Sequence, residues 1–338
     1  MPSAAIYDCE GARLSEDERA FFRDVDPWGF ILFARHCPDA DNVRALCAEL
    51  RDSAGRNAPI FIDQEGGRVA RLKPPVFPAH PAPAAFGALY KLDPKKAVEA
   101  ARLNAFLLGR LVSDLGVDAN CAPMLDVPQI DADPAVIGDR ALAAHPDIVA
   151  KLGRAAMEGL IEGGALPVIK HLPGHGRARV DSHHELPVVG ASRNDLRAVD
   201  FAPFRALSNA PIGMTAHVVY EAYDRERPAT LSPVVINEVI RGEIGFDGLL
   251  LTDDLKMKAL GGPLGERPGR AIAAGCDIAV CCNYSLEDKI AAARTTPPLS
   301  GKSADRAERA LQRRHAPPRT PVNEGYVRLA ALLKPALA

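Results

Sequence analysis

The segment with the most reactive side chains runs from residue 170 to residue 183. It reads KHLPGHGRARVDSH, which places one lysine, three histidines, two arginines and one aspartate within fourteen residues. Pro173, Gly174 and Gly176 interrupt any regular helix or strand there, so the segment is expected to form a loop. Titratable side chains on a loop that a rigid scaffold holds are typical of binding and catalytic sites.

An aspartate and a histidine near the end of this loop have a spacing that suits proton transfer. Asp181 and His183 are separated by one residue, so in an extended segment their side chains lie on the same side. The carboxylate can then orient the imidazole and stabilise its charge, and an imidazole titrates near neutral pH. A metal site is the alternative interpretation, because His175, His183 and His184 could supply nitrogen ligands.

Asp253 follows the apolar run of residues 248–251, so its carboxylate is predicted to lie at the end of a strand. In that position it could act as a nucleophile, as a metal ligand or as a hydrogen-bond acceptor for a substrate. The adjacent Asp254 is predicted to point to the other side of the extended chain. A pair of helix-capping residues is the structural alternative for these two aspartates.

Further charged residues supply hydrogen-bond donors and acceptors of the kind that a sugar needs. They are Asp63, Arg71, Arg140, Lys170 and His171. This mixture suits a polyhydroxylated ligand that carries an amide, because paired hydrogen bonds can fix each hydroxyl. Considered by itself, the pair of Asp63 and Arg71 would be interpreted as a structural ion pair.

Eight apolar runs of strand length alternate with helical patterns along the chain. The runs cover residues 29–35, 59–63, 117–121, 167–171, 186–189, 212–217, 248–253 and 276–281. Continuous apolar strands are typical of a parallel sheet covered by helices, and eight of them predict an α/β fold of the single-domain (β/α)8 TIM-barrel type. We expect residues 1–338 to form this domain, with a C-terminal loop and helix from about residue 295 onward packed on the barrel.

The helical patterns and the polar ends of the strands agree with this barrel. The patterns cover residues 15–23, 41–51, 94–115, 146–163, 194–207, 232–244 and 304–313. Several apolar runs end in a polar residue, among them Asp63, Lys170, His171, His217 and Asp253. Barrel enzymes carry their catalytic groups at the carboxyl ends of the strands, so these residues are expected to meet at one face.

Composition argues against several classes of function. The chain has 338 residues and a formal net charge of −2, which does not favour a nucleic-acid partner. The sequence has no run of eighteen consecutive apolar residues, so a membrane span is not predicted. It also has no glycine-rich nucleotide-binding motif. The seven cysteines match no disulfide framework and the first residues do not resemble a secretory signal, so we expect a cytoplasmic protein. No protein partner is indicated.

Four groups of residues resemble the motifs of glycoside hydrolase family 3. They are residues 63–71 (DQEGGRVAR), 170–176 (KHLPGHG) with 181–183 (DSH), 215–220 (TAHVVY) with 228–233 (PATLSP), and 251–257 (LTDDLKM). Within the family, the chain resembles the single-domain bacterial β-N-acetylhexosaminidases of peptidoglycan recycling. Leu172 replaces a usual phenylalanine, and the residues that flank Arg140 differ from the family pattern.

The resemblance implies a (β/α)8 barrel that hydrolyses terminal β-linked N-acetylglucosamine with retention of configuration. Carried over residue by residue, Asp253 matches the nucleophile, His183 the acid/base and Asp181 the partner of that histidine. Asp63, Arg71, Arg140, Lys170 and His171 match the sugar-binding positions. The family's histidine loop is mobile, and no metal or organic cofactor is needed. The implied substrate is a muropeptide, N-acetylglucosaminyl-1,6-anhydro-N-acetylmuramic acid with or without its peptide.

Three other functions stay open at this point. A phosphorylase is chemically close, because phosphate could intercept the same glycosyl-enzyme, and a histidine acid/base repels an anion less than a carboxylate would. A metal-dependent barrel hydrolase would lose its activity in the presence of a chelator. A non-catalytic muropeptide-binding protein would bind the sugar without turnover.

Overall fold

The computed structural model describes residues 1–130, 132, 134–180, 182, 185–316 and 321–337. These residues form ten strands, which are β1 (Ser3–Tyr7), β2 (Pro27–Leu32), β3 (Ile60–Ile62), β4 (Ala119–Asn120), β5 (Leu166–Leu172), β6 (Val188–Val189), β7 (Ile212–Thr215), β8 (Val219–Tyr220), β9 (Leu249–Asp254) and β10 (Ile278–Cys281). Eight of them close into a barrel in the order β1-β10-β9-β7-β5-β4-β3-β2, and every pairing is parallel. The predicted (β/α)8 barrel is therefore confirmed.

Burial on both faces explains why continuous apolar runs form these strands. All residues of β2 and β5 are buried. Ile6, Phe61, Val168, Ile212 and Leu249 belong to one buried cluster that spans five strands, as expected for the interior of the barrel. The outer faces of the strands are covered by helices, so both sets of side chains must tolerate an apolar environment.

The strand assignment from sequence is wrong at two places. The barrel begins with β1, which pairs with both β2 and β10 and so closes the sheet. Its sequence, SAAIY, is too weakly hydrophobic to be recognised as an apolar run. The predicted run at residues 186–189 instead contributes β6, which pairs with β8 in a separate two-stranded sheet. Val188 in β6 is 55% exposed, whereas a barrel strand is covered on both faces.

Helices surround the barrel. They are α1 (Glu16–Val25), α2 (Ala40–Ala54), α3 (Ala84–Leu92), α4 (Pro94–Ser113), α5 (Pro146–Glu162), α6 (Arg193–Asp195), α7 (Ala202–Ala206), α8 (Arg267–Ala274), α9 (Leu286–Ala293), α10 (Gly301–Leu311) and α11 (Asn323–Leu337). The side chains of Ser15 and Glu18 bind each other's backbone N–H groups, which is the reciprocal cap that begins α1. No helix of the described residues is long and apolar enough to cross a membrane.

The helical patterns of the sequence are accurate in some regions and inaccurate in others. The patterns at 41–51, 94–115, 146–163 and 304–313 correspond to α2, α4, α5 and α10. The segment 194–207 is not one α-helix, because π-helical residues Leu196–Asp200 separate α6 from α7. The segment 232–244 is π-helical over Val235–Glu243. The sequence patterns do not indicate α3, α8 and α9.

The C-terminal helices pack against the barrel at two separate places. In α10, the guanidinium of Arg306 lies 3.2 Å from the Asp277 carboxylate, just before β10, and Ala307 is buried. In α11, which packs against α3 and α4, the ring centroid of Tyr326 lies 5.6 Å from that of His80. In these contacts α10 lies beside the residue that precedes β10, and α11 lies on the outer helices α3 and α4.

Candidate active site

Three strand ends direct polar side chains into one cavity at the carboxyl side of the barrel. Asp63 follows β3, Lys170 and His171 lie near the end of β5, and β9 ends in Asp253 and Asp254. All five line a cavity of about 330 Å³. This volume is at the lower end of the range of small-molecule sites, which is roughly 300–1,000 Å³.

Five alternating charges line this cavity, and we refer to Arg71, Asp63, Lys170, Glu65 and Arg140 as the charged cluster. Asp63 accepts hydrogen bonds from Arg71 at 3.0 Å and from Lys170 at 2.8 Å. The ammonium of Lys170 also lies 2.7 Å from Glu65. The guanidinium of Arg140 binds both oxygens of Glu65, at 2.8 and 3.0 Å. Each charge in the cluster therefore has a partner of opposite sign.

The charged cluster holds its members in their ionised forms. Burial by itself would raise the pKa of Glu65, but Lys170 and Arg140 outweigh burial and lower that pKa to about 2. Burial would also raise the pKa of Asp63, but Lys170 and Arg71 outweigh burial and hold that pKa well below its usual range. For Lys170, burial would lower the pKa, but Asp63 and Glu65 raise it above the ordinary value. Near neutral pH the cluster thus offers fixed charged donors and acceptors.

A tight turn after β3 brings Arg71 back to the cavity. Gly66 has a φ of 102°, in the left-handed region that favours glycine. A Cβ atom on Gly66 would lie 2.3 Å from the carbonyl oxygen of Pro81, so only glycine fits there. The side-chain oxygen of Gln64 accepts the N–H groups of Arg71 and Leu72, at 2.8 and 2.9 Å. The DQEGGR segment therefore positions a charged pair by its backbone as well as by its side chains.

Asp253 lies across the barrel from Asp63, because β9 and β3 are separated by three strands in either direction. Its Oδ1 accepts the N–H of Asp254 at 2.8 Å, and its Oδ2 lies 4.0 Å from Nε2 of His171. Burial would raise the pKa of Asp253, but His171 and His217 lower it below the ordinary value. The side chain keeps 20% of its surface exposed. An ionised carboxylate in a cavity wall can act as a nucleophile.

Asp254 turns away from Asp253 and toward β10. Its Oδ1 accepts the N–H groups of Lys256 at 3.0 Å and of Cys282 at 3.3 Å. Burial, reinforced by the charge of Asp253, raises the pKa of Asp254 to about 7. The two neighbouring carboxyls therefore differ in direction, as expected in an extended strand, and in charge at acidic pH.

His171 lies between two carboxylates. Its Nδ1 is 2.7 Å from Oδ2 of Asp126, while its Nε2 faces Asp253. Asp126 is buried, and its Oδ1 accepts the N–H of His175 at 2.6 Å. Burial would raise the pKa of Asp126, but His171 lowers it. The imidazole of His171 is thus oriented from behind by a fixed acceptor.

The loop that follows β5 is anchored at its start. The hydroxyl of Tyr220 donates to the carbonyl of Gly174 at 2.6 Å, and Arg177 binds Asp200 at 2.7 Å. The glycines and the scarcity of apolar residues in the sequence predict a mobile loop from about Gly174 to His184. These contacts hold the first residues of the loop against the barrel, so the closure of the loop, which stays a prediction, would begin beyond them.

Asp181, His183 and His184 lie outside the residues that the structure describes, so their proposed roles stay predictions. Ser182, which separates the first two in the sequence, lies in the wall of the cavity. Its hydroxyl is 3.3 Å from Nε2 of His175, whose pKa burial and the nearby His171 lower to about 4. Ser182 is therefore the one residue of the 181–184 stretch whose position in the cavity wall the structure describes.

Sequence reasoning finds most residues of this cavity but misses two carboxylates that hold it together. Asp253 and all five predicted sugar-binding residues line the cavity. Glu65 is missed although it lies inside the DQEGGR motif. Asp126 is missed although it is the lone acid in the apolar segment 121–128. An acidic residue within an apolar segment is the available signal, because such a charge needs buried partners.

The alternative of a metal site rests on His175, His183 and His184, of which only His175 lies among the described residues. Within the described ranges, no three histidine, cysteine, aspartate or glutamate side chains are grouped so that they could hold a metal ion. That search does not include His183 and His184. All seven cysteines are buried and without disulfide partners.

Comparison with known proteins relates the sequence to one family. The model described as "Glycosyl hydrolase family 3 N terminal domain" matches residues 8–309. A β-hexosaminidase from Alkalilimnicola ehrlichii is 40% identical to this chain over 81% of this chain and 79% of its own length.

Solved structures agree with this relation. NagZ from Neisseria gonorrhoeae in complex with N-trifluoroacetyl-D-glucosamine superposes with a TM-score of 0.87 at 32% identity, covering 100% of this chain and 98% of the other. A family 3 β-N-acetylglucosaminidase from a Paenibacillus species superposes with a TM-score of 0.86 at 32% identity. That match covers 98% of this chain, which spans only 66% of the longer Paenibacillus protein.

The closed barrel and the polar cavity at its carboxyl face are those of a barrel enzyme that acts on a small molecule. Because the family model covers most of the residues, the chain belongs to glycosyl hydrolase family 3, and within it to the β-N-acetylhexosaminidases. The predicted family, fold class and enzyme class are confirmed. The individual roles of the site residues belong to the proposal that follows.

Proposed function

We propose that the chain is a retaining exo-β-N-acetylglucosaminidase that removes terminal N-acetylglucosamine from muropeptides. The observation that carries this proposal is the ionised carboxylate of Asp253 at the end of β9, in the wall of a cavity that the charged cluster also lines. Glycoside hydrolysis passes through a state with positive charge at the anomeric carbon, which a nearby carboxylate can stabilise and then attack.

The proposed reaction has two steps, each with inversion at the anomeric carbon. Asp253 attacks that carbon and forms a glycosyl-aspartate, while His183 protonates the departing oxygen. His183 then takes a proton from water, which attacks the same carbon and releases the sugar with net retention. Asp181 stabilises the imidazolium between the two steps. No metal or organic cofactor enters this sequence.

The charged cluster and His171 bind the terminal sugar in this proposal. Lys170, Arg71 and Arg140 supply charged donors to the hydroxyls, and Asp63 supplies an acceptor. Their burial strengthens each hydrogen bond, because the local dielectric constant is lower than that of water. The cavity of about 330 Å³ favours a single terminal sugar, which supports exo cleavage.

The muropeptide substrate and the cytoplasmic location rest on the resemblance to the recycling enzymes. The NagZ structure from Neisseria gonorrhoeae holds N-trifluoroacetyl-D-glucosamine, an N-acylated glucosamine, which supports an amide-bearing sugar as the ligand. Seven buried cysteines without disulfides are compatible with a reducing compartment.

One assay tests the proposed activity. The purified enzyme is given p-nitrophenyl N-acetyl-β-D-glucosaminide or the matching β-glucoside, with and without phosphate, and the products are separated. We expect free N-acetylglucosamine, a higher kcat/KM for the acetamido sugar and release of the same sugar from muropeptides. Formation of a sugar 1-phosphate would instead identify a phosphorylase. Faster cleavage of the glucoside, or no release from muropeptides, would contradict the proposed substrate.

A further inference from the structure

We propose that Asp126 is a positioning residue of this site, which fixes the ring of His171 so that the Nε2 atom faces the sugar. This inference rests on the proposed role of His171 in sugar binding. None of the four motif groups includes Asp126, and it makes no direct contribution to the cavity wall. Its action on the substrate would pass entirely through His171.

The carboxylate of Asp126 is held by three N–H groups. Its Oδ2 lies 2.7 Å from Nδ1 of His171, and its Oδ1 accepts the backbone N–H groups of His175 at 2.6 Å and of His171 at 3.3 Å. The side chain has 0% exposure, so bulk water does not compete for these bonds. A buried carboxylate with fixed donors on both oxygens keeps one orientation.

The backbone around Asp126 is tied to the strand that carries His171. The N–H of Leu125 donates to the carbonyl of Lys170 at 2.7 Å, and the N–H of Lys170 donates to the carbonyl of Pro123 at 3.2 Å. The chain after β4 therefore continues alongside β5. Asp126 and His171 belong to one rigid frame, so the hydrogen bond between them depends on no flexible segment.

This geometry determines which nitrogen of His171 is presented to the cavity. A carboxylate can only accept hydrogen bonds, so the bond to Asp126 requires a proton on Nδ1. Nε2 is left for the cavity, where it lies 4.0 Å from Oδ2 of Asp253. An asparagine at position 126 can donate its amide N–H to Nδ1, which would move the single proton of a neutral ring to Nε2. In the neutral ring, the atom that faces the sugar would then change from acceptor to donor.

Nitrogen-15 NMR of the wild-type enzyme tests this assignment without any substitution at position 126. The His171 signals are identified by their loss in His171→Gln, and they should show a proton on Nδ1 across the pH range in which the enzyme folds. In Asp126→Asn, the neutral ring should carry its proton on Nε2. A wild-type ring with an unprotonated Nδ1 would overturn the proposal, whether or not the variant folds.

Kinetics test whether Asp126 acts through His171. We expect Asp126→Asn to lower kcat/KM for the p-nitrophenyl substrate roughly 10- to 100-fold, by analogy with the acceptors that orient metal-binding histidines. The double variant Asp126→Asn with His171→Gln should be no slower than His171→Gln alone, because a residue that acts through another cannot add to its loss. Independent, multiplicative losses would show that Asp126 stabilises the fold without positioning His171.

Asp277→Asn is the matched control. Asp277 is another buried carboxylate, which accepts hydrogen bonds from Arg241 at 2.7 Å and from the N–H of Leu250 at 2.9 Å, before β10 at the far end of the barrel. This control should lose stability but keep the kcat/KM and the His171 spectrum of the wild type. An inactive wild-type enzyme would refute the proposed function, whereas the spectrum of His171 would still decide the role of Asp126.

Discussion

Asp63 and Asp253 are both carboxylates at the ends of barrel strands, yet their surroundings differ. Asp63 accepts hydrogen bonds from two cations, Lys170 at 2.8 Å and Arg71 at 3.0 Å. Asp253 accepts a backbone N–H at 2.8 Å and faces His171 at 4.0 Å. Both pKa values are held below the ordinary value against the effect of burial, by directly bound cations in the first case and mainly by nearby histidines in the second.

The different surroundings of the two carboxylates suit different tasks, binding for Asp63 and reaction with carbon for Asp253. A carboxylate whose oxygens are bound to cations has less electron density available for bond formation, but it holds a fixed position for a sugar hydroxyl. A carboxylate that is ionised by charges at a distance keeps an oxygen available for attack on carbon. We infer that Asp63 contributes mainly to binding and Asp253 mainly to turnover, and the predictions below test this distinction.

The largest effect is expected from Asp253→Asn. Removal of the nucleophile should lower kcat by more than about a thousandfold, as for other residues that form a covalent intermediate. The free energy of unfolding should fall only modestly, because the lowered pKa of Asp253 means that its charge adds some stability to the folded state. Steady-state kinetics and urea denaturation measure the two quantities, and mass spectrometry should detect a fluorinated sugar on Asp253 of the wild type. Asp63→Asn is the comparison, and a larger loss of kcat in that variant than in Asp253→Asn would reverse the two roles.

The next effect concerns the proposed acid/base pair. Asp181→Asn should slow glycosyl-enzyme formation by a factor on the order of 10²–10⁴, the usual contribution of general acid–base catalysis. The loss should be smaller for a leaving group of low pKa, which needs little protonation. Pre-steady-state rates for a series of aryl N-acetylglucosaminides measure this dependence. Equal losses across the series would contradict an acid role for the pair and leave Asp253 as the sole catalytic assignment.

A third prediction concerns the charged cluster. Lys170→Met removes the cation between Asp63 and Glu65, where its side chain has only 3% exposure. Breaking a buried ion pair on one side should lower the free energy of unfolding by about 3–5 kcal/mol, because a buried charge is left without its partner. Arg197→Met, which breaks an ion pair with Glu243 at the surface, should cost much less, because solvent screens exposed charges. Equal losses in urea denaturation would show that the cluster is not a buried network.

A fourth prediction concerns the pH dependence of stability at Asp254. Its pKa is raised from 3.8 to about 7, so between these values the folded state holds a proton that the unfolded state has lost. The contribution of this carboxyl to stability therefore decreases as the pH rises from about 4 to about 7 and is constant above that range. Asp254→Asn should remove this decrease, so its stability relative to the wild type should rise over the same interval. A difference in stability that does not change with pH would place the pKa of Asp254 at its ordinary value.

Local sequence patterns predict much of this molecule because the responsible interactions are local. The reciprocal cap at Ser15 and Glu18 and the positions of α4 and α5 follow from hydrogen bonds and apolar spacing within a few residues. The patterns fail where packing decides the outcome. β1 is a weakly apolar segment that becomes a barrel strand only because β2 and β10 are both placed to bind it.

For the candidate site, too, some features can be predicted from local sequence and others depend on tertiary contacts. The motifs and the strand ends predict that Asp63, Lys170 and Asp253 line one cavity, since a polar side chain after a buried strand lies at the carboxyl face of a barrel. They do not show which carboxylate is neutralised by cations. Arg140 reaches Glu65 across 75 residues of sequence, and His171 reaches Asp126 across 45.

The sequence by itself determined the family and the barrel and predicted which groups react, because these depend on residue types, their spacing and the alternation of apolar segments. The tertiary structure alone decided the state of each group. Asp253 and Asp254 are identical in chemistry and adjacent in the chain, yet one has a lowered pKa and the other a pKa raised to about 7. The cause is that Asp253 faces two histidines while Asp254 is buried against β10, and these neighbours come from distant segments that only the closed barrel brings together.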